Sequence, residues 1–222
     1  MAGDGLRAAT RDDLLGLPAD VAPRLLGAHL SVTVDDETVT VRLTEVEAYH
    51  GRGTGPVPDP GSHARMGPTA RNATMWGEPG HLYVYLSHGI HSCVNVVCGP
   101  DGVAGGVLLR GAEVLEGVEA AFRRRPAART ARDLARGPGR LGDAVGLRHP
   151  LHDGIDAITG APRHGAVARL ALAAEPIGDV MSGPRVGVAG VGGTAAFPWR
   201  FWIPGDPTVS PFRWGRGAAE LA

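Results

Sequence analysis

The chain contains no lysine; all 22 of its lysine-plus-arginine residues are arginine. Without a side-chain amine, no Schiff base can form with a sugar or a ketone, and only the N-terminal amine remains for such chemistry. Covalent-imine mechanisms are therefore disfavoured. Cysteine is nearly absent too. Cys93 and Cys98 are too few for a structural zinc site. Their spacing allows one short-range disulfide or two reduced thiols in the core of a cytosolic protein, and the second is expected. No run of 18 apolar residues occurs, so no membrane-spanning helix is expected. Met1 to Arg11 mixes glycine, alanine and charges of both signs, without the apolar core of a signal peptide. The formal net charge is −1, which by itself does not advertise a polyanionic partner.

What is present is unevenly distributed. The 222 residues suffice to bury a core without staples. Arg123, Arg124, Arg125, Arg129, Arg132, Arg136 and Arg140 face a single acid, Asp133, within one segment. Such a patch is either a solvated helical surface or a surface that meets phosphates. The densest chemistry lies between Arg42 and Asn95, where carboxylates, tyrosines, histidines and an asparagine cluster. That combination suggests a pocket for a flat polar ring with an acid beside it.

Patterning sets the frame. Thr10, with Asp12 and Asp13 behind it, reads as a helix start, with a break near Pro18 and a helical face of Val21, Leu25 and Leu26. Leu30 to Val34, a tight Asp35-Asp36-Glu37 turn and Thr38 to Tyr49 read as paired strands. Along the second of these, Val39, Val41 and Leu43 share a face. If that alternation continues, Glu45, Glu47 and Tyr49 follow on the apolar side, where an acid is costly unless paired or used. Alternatively the strand bulges after Leu43 and both acids meet solvent. Gly51 to Pro68 is a Gly/Pro-rich loop. Leu82 to Leu86 and Ser92 to Val97 form a hairpin with its tip at Ser87 to His91, where Gly89 supplies an unusual dihedral. Strands are expected at Val103 to Arg110, Val167 to Ala173, Arg185 to Val191 and Arg200 to Ile203, and short helices at Glu113 to Phe122, Thr130 to Ala135 and Leu141 to Val145. No repeat or linker appears. The expected fold is α+β: one domain over residues 1–222 with a flexible tail at 1–9, a curved, mostly antiparallel sheet flanked by helices, and a protruding hairpin.

In order along the chain stand Thr44-Glu45-Val46-Glu47-Ala48-Tyr49, Ser62-His63-Ala64, Arg71-Asn72, Pro79-Gly80-His81-Leu82-Tyr83-Val84-Tyr85, His91-Ser92-Cys93-Val94-Asn95 and Val107-Leu108-Leu109-Arg110. Weaker matches follow at Gly137 to Leu141, Arg185 to Val188 and Trp199 to Phe201. This ordered set, from about Val21 to Ser210, resembles the alkyladenine (3-methyladenine) DNA glycosylases. The resemblance implies a cytoplasmic, nucleoid-associated bacterial monomer that needs no metal or other cofactor. It would act on double-stranded DNA, flip out a damaged purine and hydrolyse its N-glycosidic bond. Glu47 matches the general base and Arg110 the arginine that helps hold the attacking water, together with a carbonyl from Val186 or Val188. Tyr49, His63 and Tyr85 match the residues that sandwich the base, and Asn95 the one that excludes guanine. Arg123, Arg124 and Arg140 are candidate phosphate contacts. His88 departs from the family, which usually carries a tyrosine wedge at the hairpin tip. Gly111 and Val114 depart from the usual Arg-Ala-x-Glu-Pro run, and the loop from Gly51 to Gly61 is idiosyncratic. The rival readings are a nucleic-acid-binding protein that keeps the fold without catalysis, and a hydrolase of free nucleosides or RNA. The histidines, His88 and His91 among them, lack the carboxylate or cysteine spacing of a metal site.

Overall fold

In the computed structural model, which describes residues 5–221, a 14-residue strand organises the fold. This is β3 (Glu37–His50), preceded by β1 (Leu6–Ala8), the short helix α1 (Pro18–Val21) and β2 (His29–Val34). After it come β4 (His81–Ser87), β5 (His91–Val97), β6 (Gly105–Glu116), α2 (Val118–Arg124), α3 (Pro138–Val145), β7 (Ile155–Asp156), β8 (Ala166–Ala173), β9 (Met181–Gly183) and β10 (Arg200–Trp202). All pairings between these strands are antiparallel, and they run β1-β8-β2-β3-β6-β5-β4-β7, with β10 joining β3 to β9. The α+β class, curled antiparallel sheet and hairpin agree with the sequence reading.

Alternation assigns the faces. Val39, Val41 and Leu43 of β3, Leu82 and Val84 of β4, Val94 and Val96 of β5, and Val107 and Leu109 of β6 join one buried cluster with Leu141, Ala144 and Val145 of α3. The opposite face of β4 and β5 carries Tyr83, Tyr85 and Val97, packed with Ala64 of the Gly/Pro-rich loop and Met75 of the short helical turn Ala73–Trp76. Helix α3 has the favoured asymmetry of Pro at its start and Gly146 in the left-handed conformation at its end. It lies so close to β5 that a Cβ on Gly142 would fall 1.9 Å from the Ser92 carbonyl oxygen.

Four expectations are corrected. Residues 6–8 of the supposed tail are β1, paired with β8; residues 1–4 lie outside the described part. Pro18 opens α1 rather than breaking a helix. Glu113 to Glu116 extend β6, because Thr40 to Leu43 continue to offer a ladder partner, and the helix starts only at Val118. Arg185 to Val191 is not a strand but an irregular segment, held through Gly187 N–H to the Arg213 carbonyl and Gly190 N–H to the Arg216 carbonyl, both at 2.9 Å.

Candidate active site

The site begins with a slip in alternation. Along β3 the core residues are 39, 41 and 43, then 46 and 48. The β3–β6 register shifts twice between Leu43 and Val46, leaving Thr44 on one strand and Arg110 on the other without a Cα partner. Each strand therefore contains one extra residue, and both change phase together. The change keeps Val46, Ala48, Leu109 and Val107 in the core and places Glu45, Glu47, Tyr49, Leu108 and Arg110 on the opposite face. The strand does bulge after Leu43, yet neither acid meets solvent: Glu45 and Glu47 are both fully buried. Gly111, opposite Glu45, leaves the space the bulge needs; a Cβ there would lie 2.9 Å from the Thr208 carbonyl oxygen and 3.1 Å from Glu45 Cβ.

The two carboxylates have different partners. Glu45 Oε1 accepts from Arg200 Nε at 2.6 Å and Arg110 Nε at 3.2 Å, while Oε2 accepts from the Ser210 N–H at 2.7 Å. Glu47 Oε1 accepts from the Val186 N–H at 2.6 Å and lies 3.5 Å from Arg110 Nε. Its Oε2 accepts from the Tyr49 hydroxyl at 2.8 Å. Burial, and then the Glu47 charge, pushes the Tyr49 hydroxyl well above its ordinary pKa. The phenol therefore remains protonated and donates.

A cavity of about 580 Å³ opens beside Glu47. Its walls include Tyr49, His63, Tyr85, Asn95, His88 and Arg110, so six residues anticipated from sequence meet around one space. Glu47 itself adds no surface; it stands behind Tyr49, Arg110 and Val186, which do line the cavity. The His63 ring meets the Tyr85 ring edge-on at 4.7 Å, and Tyr83 stacks on Tyr85 at 5.4 Å. Asn72 fixes the loop that presents His63, donating to the His63 and Gly67 carbonyls and accepting from the Thr69 N–H. The Asn95 amide donates to the Tyr83 carbonyl at 3.2 Å. At the hairpin tip His88 and Gly89 take left-handed conformations (φ 50° and 73°), and His88 and Ile90 are exposed. Burial pushes the Cys93 thiol in the wall up to about 11, and Cys93 and Cys98 are both free.

Arg123 and Arg124 do not join this space. Both pair with Glu37, at the start of β3. Glu37 lies ten residues before Glu47, roughly 33 Å along an extended strand. Arg124 also donates to the carbonyls of Val34, Glu37 and Ala144. Arg140 instead lines a neighbouring cavity with Arg110. Two residues that sequence reasoning passed over hold the site from behind. Fully buried Arg185 makes a two-pronged pair with Asp59 at 2.7 and 2.8 Å and donates to the Ala48 and Gly192 carbonyls. Its guanidinium lies over the Tyr49 ring at 4.5 Å. Asp59 also accepts from the N–H groups of His50 and Gly61, tying the Gly/Pro loop to β3. Their advance signals are slight: an acid in an otherwise uncharged part of that loop, and the place of Arg185 in one of the weaker motif matches. Among the described residues no group of three or more His, Cys, Asp or Glu is placed to hold a metal, and no helix is long and apolar enough to cross a membrane.

The family model for methylpurine-DNA glycosylase matches residues 14–207. The chain belongs to the methylpurine-DNA glycosylase family. A protein of Leifsonia xyli subsp. xyli named as a candidate 3-methyladenine DNA glycosylase is 51% identical over 207 residues, 91% of this chain and 92% of that one. Proteins of the same name from Streptomyces avermitilis and Nocardia farcinica are each 50% identical, over 194 and 203 residues. These alignments cover 87% and 91% of this chain, and 86% and 90% of the respective relatives.

Proposed function

We propose that this member of the family is a monofunctional DNA glycosylase of the 3-methyladenine type, acting in base-excision repair as a cytoplasmic monomer on double-stranded DNA. The observation that carries the reading is the setting of Glu47: a buried carboxylate with both oxygens anchored, directly behind an aromatic-walled cavity of base-accepting size. The extruded purine enters between Tyr49 on one side and His63 and Tyr85 on the other. Ring faces grip modified bases of several shapes, and more strongly when the base is cationic. Asn95, on the cavity wall, meets the base edge and excludes guanine.

Water then attacks the anomeric carbon and gives its proton to Glu47. The carbon–nitrogen bond breaks, and its electron pair leaves with the purine, which becomes neutral if it was alkylated and cationic. The products are a free base and an abasic site with an anomeric hydroxyl. The Glu47 charge also favours the oxocarbenium-like transition state. Arg110 positions Glu47 and the incoming water, while Glu45 and Ser210 hold Arg110. The exposed hairpin tip serves as the wedge, with His88 filling the gap left by the flipped nucleotide. Arg140 and the pocket-lining Arg65 and Arg71 meet the DNA backbone.

Duplex oligonucleotides each carrying one modified purine, incubated with the protein and assayed for abasic sites, test this. Excision of at least one alkylated or deaminated purine is expected. Tight binding without excision of any of them would instead mark a nucleic-acid-binding protein that has kept the fold.

A further inference from the structure

A second cavity, of about 420 Å³, adjoins the first and shares Arg110 and Val186 with it. Its other charged walls are Arg136, Arg140 and Arg213, and among the described residues no acid lines it. Glu45 and Glu47 lie behind Arg110 and are bonded to Arg110, Arg200, Tyr49 and backbone N–H groups. Among the described residues none of the three remaining guanidinia is in ion-pair contact with a carboxylate; the Asp133 charge reaches Arg140 only at longer range. Arg136 donates only to the Val209 carbonyl at 2.9 Å, and among the described residues neither Arg140 nor Arg213 has a side-chain hydrogen bond or an ion pair. Other arginines are held by carboxylates: Arg7 by Asp13, Arg11 by Asp156, Arg42 by Glu113 and Asp206, Arg125 by Asp143, and Arg185 by Asp59. Three like charges around an open cavity repel one another unless an anion joins them, and guanidinium matches phosphate oxygens two at a time.

The placement is specific. The two cavities meet at Arg110 and Val186, the residues that flank Glu47 Oε1. A nucleotide is a base and a phosphate joined through a sugar. With the base in the first cavity and a phosphate in the second, the sugar falls at the junction, and its anomeric carbon faces Glu47. We infer that the Arg136–Arg140–Arg213 cleft seats the backbone phosphate adjoining the extruded nucleotide and so sets the depth at which the glycosidic bond meets the catalytic carboxylate. This rests on the glycosylase reading and adds the subsite that aligns the sugar. The cleft would hold one defined phosphodiester rather than supply diffuse attraction to any polyanion.

The test uses the full chain and duplexes with one excisable purine, in which single phosphodiesters around that nucleotide are replaced, one at a time, by a neutral methylphosphonate. Arg140→Gln and Arg213→Gln are the variants of choice, since neither side chain has a bond to lose on folding. On unmodified duplex each is expected to bind about tenfold more weakly, and the slope of log K against log salt should fall by about one for each phosphate no longer neutralised. One methylphosphonate position should weaken wild-type binding by a similar factor, and at that position alone the variants should lose nothing further. The methylphosphonate series on wild type reports independently of variant folding. If the wild type excises the base but arginine and phosphate losses simply multiply at every position, or the variants bind as wild type does, the cleft assignment is wrong while the glycosylase reading stands. If the wild type excises no modified purine, the glycosylase reading fails and the cleft falls with it.

Discussion

Glu45 and Glu47 are two residues apart on one strand, share a face and are equally buried, yet they are built for different tasks. Glu45 is enclosed by two arginines and a backbone N–H, with Arg200 and Arg110 reaching across from neighbouring strands. Glu47 is held by a backbone N–H and a phenol, with one arginine at 3.5 Å, and the cavity wall is its nearest boundary. The first is the centre of a buried charge network; the second is a carboxylate fixed in place beside space for a substrate. Burial alone does not mark the chemical acid. The partners do, because a charge neutralised on all sides has no direction left in which to act.

The largest effect that would sharpen this contrast is on stability. Glu45→Ala leaves Arg110 and Arg200 buried without their shared counter-charge, and breaking such a pair costs about 3–5 kcal/mol. Urea unfolding should show that loss, whereas Glu47→Gln, which keeps an oxygen acceptor for the Val186 N–H, should fall well short of it. Equal destabilisation by the two would erase the distinction. Next is Tyr49→Phe, which removes one hydrogen bond to Glu47 while keeping the ring. Single-turnover excision should slow by about tenfold, and an unchanged rate would show that the phenol does not position the base. His88→Ala should lower excision a few-fold, by about the strength of one ring stacked on a base, with little change in affinity for undamaged duplex. Equal changes in both would remove the wedge.

The smallest effect is a pH dependence that sets the background for these comparisons. Burial holds the pKa of His50 and His152 below the ordinary 6.5. Between 6.5 and the lowered values the unfolded chain binds more protons than the folded one. The contribution of these neutral histidines is therefore complete above pH 6.5 and is lost as pH falls through that window. The melting temperature should be lower at pH 5 than at pH 7.5, and a flat profile would contradict the assignment.

Much of the frame is legible in the sequence. The Asp35-Asp36 turn and its two strands, and the hairpin with Gly89 at the tip, appear within a residue or two of where alternation and turn chemistry put them. The phase of β3 is harder, because alternation counted from Val39 carries Glu45 and Glu47 to the core side. The slip nevertheless leaves a trace: apolar residues at 41 and 43 resume at 46 and 48, an interval of three that only an extra residue explains. The Arg185 to Val191 segment, with valines at 186, 188 and 191, reads as a strand, but its glycines and the backbone of Arg213 and Arg216 turn it into a cover over the site. Arg185 and Asp59, 126 positions apart, cannot be paired from one sequence, since nothing local to either residue points to the other. The arginine-rich run is likewise ambiguous: Arg123 and Arg124 serve the β2–β3 turn, whereas Arg136 and Arg140 line the second cavity.

The central claim is that Glu47 accepts the proton of the attacking water. Single-turnover release of a modified purine by Glu47→Gln, measured beside its affinity for the same duplex, addresses it most directly. The account predicts a rate lower by several orders of magnitude, on the scale of lost general-base and electrostatic assistance combined, with affinity preserved. Release at near the wild-type rate, by a protein that binds the duplex normally, would contradict it.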